Sequence, residues 1–202
     1  MNDPFVKICG ITRVEDAIFS VENGAAIIGV VRSSRSPRRG SAALINELSD
    51  MGMKVAAVYT EMDTIRGSSS LEAYVQLHFS HGNDEIAYVK EELGLKAISV
   101  IFANSEDSPL GAALDKINQG ADLVLLEYGR EGWSSRYRKI PDIEKHPIGI
   151  AGRVSVGNLR ELLKESPYFI DVSSSLEDSP GKKNHSKIRD FMEVLKTEKT
   201  AV

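Results

Sequence analysis

The chain has little of several things. There is one cysteine in 202 residues, Cys9. That excludes an intrachain disulfide framework and a zinc site built on cysteines. There is one tryptophan, Trp133. No apolar run approaches the roughly 18 residues a membrane span requires. The opening, Met1-Asn2-Asp3-Pro4, has neither a basic n-region nor an apolar h-region, so no secretory signal is expected. A reducing cytoplasm is the default location. Nor is there an excess of positive charge: 25 Lys and Arg face 29 Asp and Glu, a net charge of −4. Such a balance offers no whole-molecule reason to expect nucleic acid or an anionic membrane as partner.

What is present is an alternation. Short apolar runs read as strands at Phe5–Cys9, Ala25–Val31, Lys54–Tyr59, Tyr74–His78, Ala97–Phe102, Leu123–Glu127, Ile148–Ala151 and Phe169–Val172. Several are nearly continuous in apolar residues, as parallel strands buried on both faces are. Amphipathic stretches lie between them. Val14, Ala17, Ile18 and Val21 share one helical face, as do Ile188, Phe191, Met192 and Leu195. Thr12-Arg13-Val14-Glu15 reads as a capping box for the first helix. Two helices, over 60–73 and 129–139, have poor periodicity. Eight strands and about eight helices, at about 25 residues per unit, predict a compact α/β (β/α)₈ TIM barrel, shorter than the usual roughly 250 residues. It occupies residues 1–202 as one domain, with a polar, frayed tail over 196–202. The rival, an open doubly wound sheet, would carry a Gly-x-Gly-x-x-Gly turn after its first strand, and none is there.

In such a barrel the reacting groups lie on the loops after the strands. Those positions hold Cys9; the basic run Arg32 to Arg39; Gln76 and His78; Glu127; Gly152 and Arg153; and Asp171 followed by Ser173, Ser174 and Ser175. The loops after strands seven and eight are where this fold often binds phosphate, and Gly152, Arg153 and the three serines suit it. Cys9 is either a reacting thiol or a small buried hydrophobe. The basic run either holds a carboxylate or phosphate through a forked guanidinium, binds RNA, or is solvated. His78 and His81 lack a third partner for a metal.

Together these residues resemble the phosphoribosylanthranilate isomerase family. Lys7-Ile8-Cys9-Gly10, Ser36-Pro37-Arg38, Gln76-Leu77-His78, Asp171-Val172-Ser173-Ser174, Glu177 and Pro180-Gly181-Lys182 match its motifs in order, from residue 7 to 182. The resemblance implies an Amadori rearrangement of N-(5-phosphoribosyl)anthranilate in tryptophan biosynthesis. It implies Cys9 as general base, a carboxylate at the end of strand six as general acid, and Arg38 on the anthranilate carboxylate. Gln76, His78 and Asp171 are expected at the substrate. Gly152, Arg153, Ser173, Ser174 and Ser175 are expected around the phosphate. It implies a small phosphosugar as the partner, without nucleic acid, membrane, cofactor or metal, and leaves the oligomeric state open.

Four positions depart from the pattern. The family's acid is usually Asp, and here Leu125-Leu126-Glu127 supplies Glu. Its glycine-rich loop after that acid is replaced by Tyr128-Gly129-Arg130-Glu131-Gly132-Trp133, where Trp133 either covers the anthranilate ring or packs. Ala-Gly-Gly becomes Ala151-Gly152-Arg153, and Ser-Ser-Gly becomes Ser173-Ser174-Ser175. Misplacing a reacting group by about 1 Å can cost on the order of 10²-fold in rate. The longer acid therefore keeps a second reading open, a phosphosugar-binding barrel that has lost the reaction.

Overall fold

The structure, a computed structural model, describes residues 4–67, 70–103, 109–129, 132–133 and 140–200. Eight parallel strands close into a barrel in chain order: β1 (Phe5–Cys9), β2 (Ala25–Val31), β3 (Val55–Tyr59), β4 (Tyr74–Leu77), β5 (Lys96–Ala103), β6 (Leu123–Tyr128), β7 (Ile148–Ala151) and β8 (Phe169–Val172). All eight expected strands are present, with ends moved by one residue at most. Around them the described residues form seven α-helices: α1 (Val14–Glu22), α2 (Ala42–Asp50), α3 (Met62–Arg66), α4 (Asn83–Ala87, continued by a wider turn over Tyr88–Glu92), α5 (Leu110–Asn118), α6 (Val156–Leu163) and α7 (His185–Thr200).

The weakly periodic segment 60–73 forms only the short α3. The expectation over 129–139 falls mostly outside the described residues. α7 runs to Thr200, into the polar segment from Lys196. After β8 a small hairpin, β9 (Glu177–Ser179) and β10 (Lys182–Lys183), packs beside the barrel, and nothing in the periodicity announced it.

Two apolar clusters hold this arrangement. The larger lies between strands and helices, where the outward residues of each strand, such as Ile8, Val124 and Ile150, meet Ala17, Leu159 and Phe191. Full burial of each Ile, Val, Leu or Phe among them is worth about 1.5–3 kcal/mol. The smaller fills the barrel itself with Ile27, Ala56, Ile98, Val100, Leu123, Leu125, Ala151 and Phe169. Phe5 stacks on Phe169 with ring centroids 5.2 Å apart. A Cβ on Gly149 would meet that ring at 2.4 Å, so only glycine leaves room for it.

Because successive strand residues face opposite sides, one more step along each strand sets the next inward layer. Lys7 and Cys9 follow Phe5, Asp171 follows Phe169, Gln76 follows Tyr74, and Glu127 follows Leu125. The barrel interior therefore turns from apolar to ionisable toward the C-terminal strand ends.

The capping-box expectation at Thr12 is not met. α1 starts at Val14 with Arg13 in the N-cap position and no side-chain cap bond. The Thr12 hydroxyl instead donates to the Gly181 carbonyl at 2.5 Å, tying the loop after β1 to the hairpin. The tertiary partner takes the hydroxyl that a local cap would have used.

Candidate active site

A cavity of about 460 Å³ opens at the C-terminal ends of the strands. Cys9, Arg38, Gln76, His78, Glu127, Gly152, Arg153, Asp171, Ser173 and Ser174 all line it. Ser175 does not. The short turn over Ser174–Leu176 directs its hydroxyl to the Val154 carbonyl at 2.5 Å, so it ties the loop after β8 to the loop after β7. Trp133 is buried in the strand–helix cluster and is not part of the cavity wall, so the packing reading applies.

At the floor lies a buried ion pair. Lys7 and Asp171 are register partners on β1 and β8, and Lys7 Nζ donates to Asp171 Oδ2 at 2.5 Å. Burial alone would lower the Lys7 pKa, but the Asp171 and Cys9 charges reverse this and raise it, so the lysine stays a cation.

Cys9 sits two residues on, on the same face of β1, against Gly29 of β2, its register partner. Burial pushes its thiol up and Asp171 adds to that, while Lys7 and Lys183 pull it down; the balance is upward. Three strands round the barrel, Glu127 stands one residue from the end of β6. Burial and then the Asp171 charge raise its pKa to about 7, with Lys7 opposing. A carboxyl in that range is substantially protonated at neutral pH and able to donate.

Gln76 is buried on β4 with its Nε2 3.4 Å from His78 Nδ1. Its Oε1 is buried and has no hydrogen-bond partner among the described residues. Burial and the Lys7 charge lower the His78 pKa, so the ring is neutral there. Its edge packs on Phe102, the register partner of Glu127. His81 is separate: it bonds the Phe79 carbonyl and the Ser99 hydroxyl, away from the cavity. Among the described residues no cluster of three His, Cys, Asp or Glu suits a metal ion.

The loop after β2 brings in Arg38. Its Nε and Nη2 donate to both oxygens of Glu177 at 2.8–3.0 Å. Glu177 also accepts from Lys183 Nζ at 2.9 Å and from the Gly181 amide at 3.3 Å. Lys183 in turn donates to the Ser173 carbonyl at 3.2 Å. Glu177 was matched as part of a motif and given no task, and Lys183 was not singled out. Their signal was the pairing of a motif carboxylate with a motif arginine 139 residues away, which no local pattern reveals. At the far end, Ser173 donates to the Cys9 carbonyl at 2.9 Å, and a Cβ on Gly152 would fall 2.1 Å from the Tyr128 carbonyl oxygen.

Fold and cavity together define the class: a (β/α)₈-barrel enzyme with its ionisable residues gathered at the C-terminal strand ends. The family model for N-(5'-phosphoribosyl)anthranilate isomerase matches residues 6–194, and the chain belongs to that family. The isomerase of Thermoplasma volcanium is 41% identical over 194 residues, covering 95% of each chain. Among solved structures, N-(5'-phosphoribosyl)anthranilate isomerase from Pyrococcus furiosus superposes with a TM-score of 0.78 at 28% identity, covering 96% of this chain and 99% of that one. A phosphoribosyl anthranilate isomerase in complex with reduced 1-(o-carboxyphenylamino)-1-deoxyribulose 5-phosphate superposes at 0.74, with 25% identity over the same shares. No helix among the described residues is long and apolar enough to cross a membrane.

Proposed function

We propose that this chain converts N-(5-phosphoribosyl)anthranilate to 1-(o-carboxyphenylamino)-1-deoxyribulose 5-phosphate, a step of tryptophan biosynthesis, with Cys9 as general base and Glu127 as general acid. The observation that carries the reading is Glu127: a cavity-lining carboxyl raised to about 7, on the same cavity as the only thiol. The named complex of a relative with a reduced form of this product supports the substrate class.

The chemistry follows from these groups. Glu127 donates its proton to the ribose ring oxygen as the bond from C1 to that oxygen breaks. The anthranilate nitrogen supplies the electron pair, and a protonated Schiff base results. This acidifies the proton on C2, which the Cys9 thiolate removes. The electrons left behind form the C1–C2 double bond of an enolamine. Loss of the proton from the C2 hydroxyl and gain of one at C1 give the ketoamine, so the sequence is an isomerisation with no net redox change.

Arg38, held by Glu177, faces the anthranilate carboxylate. Gln76, neutral His78 and Asp171 border the ribose chain. Gly152, Ser173 and Ser174 offer the phosphate its site. The longer acid, which raised the reading of an inactive barrel, keeps here the burial and the pKa that the task requires.

The test is turnover of phosphoribosylanthranilate by the purified chain, followed by fluorescence. Activity abolished in Cys9→Ala and cut by about 10²-fold or more in Glu127→Gln is expected. Analogue binding without turnover by the unaltered chain would instead favour the inactive barrel. Full activity in either variant would remove that residue from its role.

A further inference from the structure

Arg153 occupies a backbone conformation that normally falls to glycine. Its φ is +50°, in the left-handed region that L side chains disfavour. It stands where the resembling family reads the second glycine of Ala-Gly-Gly. Such strain persists only where the surroundings hold it, and it gathers at functional sites.

The surroundings do hold it. The Trp133 amide donates to the Gly152 carbonyl at 2.8 Å, and Asn158 Nδ2 donates to the Arg153 carbonyl at 3.1 Å. A Cβ on Gly132 would lie 2.7 Å from Arg153 Cβ and 3.2 Å from its Cγ and Cδ. The aliphatic stem therefore runs over a residue without a side chain. The exposed guanidinium has no hydrogen-bond or ion-pair partner among the described residues, and the residue lines the cavity. By contrast, Lys183 at the same end is matched by Glu177. Nor does Arg153 seal its loop, since Gly152 and Ser174 line the cavity beside it.

We infer that Arg153 is a side-chain ligand for the substrate's phosphate, particular to this chain, and that the left-handed backbone is retained because that contact outweighs the strain. The inference rests on reading the substrate as a phosphosugar. A guanidinium offers a phosphate two parallel donors and a charge that does not titrate.

Arg153→Gly separates strain from binding, because glycine fits φ +50° and the variant should fold. Calorimetric titration with inorganic phosphate, KM for phosphoribosylanthranilate and Tm are measured together. Expected are a loss of phosphate affinity and a rise in KM of about 10-fold or more, larger than the change in kcat, with Tm raised by about 2–4 °C. Arg153→Lys should recover part of the affinity, as a point charge without the fork, and show no rise in Tm. Unchanged phosphate affinity in Arg153→Gly, or no phosphate binding by the unaltered chain, overturns the inference. The phosphate titration needs no turnover. A chain that binds phosphate through Arg153 but does not isomerise the substrate would sink the proposed reaction alone. Turnover with KM unaltered in Arg153→Gly would sink this inference alone.

Discussion

Lys7 and Asp171 face each other across neighbouring strands as register partners, and their side chains meet at 2.5 Å with both nearly sealed from water. Removing one member of a buried pair strands the other charge, at about 3–5 kcal/mol. Lys7→Met should therefore destabilise the fold by that amount in denaturant unfolding, and Lys7→Met combined with Asp171→Leu should recover much of it. The single variant also removes the cation that pulls the Cys9 thiol down while keeping the Asp171 charge that pushes it up. Alkylation at pH 8 should then slow several-fold. Cys9 is the only cysteine, so the label reports that thiol alone. An unchanged alkylation rate would show that Lys7 does not govern the base.

Glu127 and Cys9 titrate in an order opposite to their proposed duties: the acid near 7, the base above its ordinary range. The reacting form, thiolate with protonated carboxyl, is then a minority species whose population rises until about pH 7 and stays level until the thiol ionises. The profile of kcat/KM should rise and level off near 7, and Glu127→Gln should lose that break, its residual activity rising on until the thiol ionises, along with most of kcat. A break near 4–5 in the unaltered enzyme would mean the carboxyl is not held up.

The same shift has a stability consequence. The folded chain binds this proton more tightly than the unfolded chain does, whose carboxyl titrates near 4.3. The contribution is complete below about pH 4 and is lost as pH rises through about 7. Glu127→Gln should match the parent at low pH and exceed it by about 1–3 kcal/mol above pH 7. Equal stability of the two proteins across that window would count against the burial of the charge.

Glu177 holds Arg38 by two of its nitrogens and neutralises the buried Lys183. Burial pushes its carboxyl up, but the bonds from Arg38 and Lys183 outweigh this and hold it below its ordinary value. Its stabilising effect is thus present above the unfolded pKa and is lost as pH falls through the lower folded value. Tm of Glu177→Gln should lie below the parent at pH 7 and converge with it in acid. With Arg38 no longer aimed, KM for the anthranilate substrate should rise by about 10-fold, more than kcat falls. A normal KM would detach Arg38 from the substrate carboxylate.

Most of the barrel was legible because its strands are short, largely apolar runs broken by turn residues. β1, β2, β7 and β8 begin and end where the apolar run does. Cys9, Glu127 and Asp171 were legible by position, since each closes its strand or stands one residue from its end. What stayed hidden depends on contacts between distant segments. Thr12 has a good local use as a cap and is drawn away by Gly181. Ser175 follows two serines that line the cavity, yet one turn carries it to Val154. Lys7 was visible as a member of the motif around Cys9, and its partner emerged only with the β1–β8 register. The role of Glu177 as the anchor for Arg38 required the hairpin that periodicity does not foretell.

Gly29 tests whether the position of the thiol matters apart from its chemistry. It lies on β2 opposite Cys9, and a Cβ there would meet Cys9 Sγ at 2.8 Å, its Cα at 2.9 Å and its Cβ at 3.1 Å. The side chain alone cannot swing clear of all three, because one of them is backbone. Gly29→Ala should therefore shift β1 and the thiol together while removing no ionisable group. Overpacking of this kind costs about 1–3 kcal/mol, and a displacement approaching 1 Å lowers a reaction rate by on the order of 10²-fold. The expected variant is folded, with a Tm lower by several degrees, near-normal phosphate affinity and a kcat reduced by that factor. Normal kcat in a folded Gly29→Ala protein would mean that the chemistry tolerates a displaced Cys9, and the assignment of the thiol as general base would have to be given up.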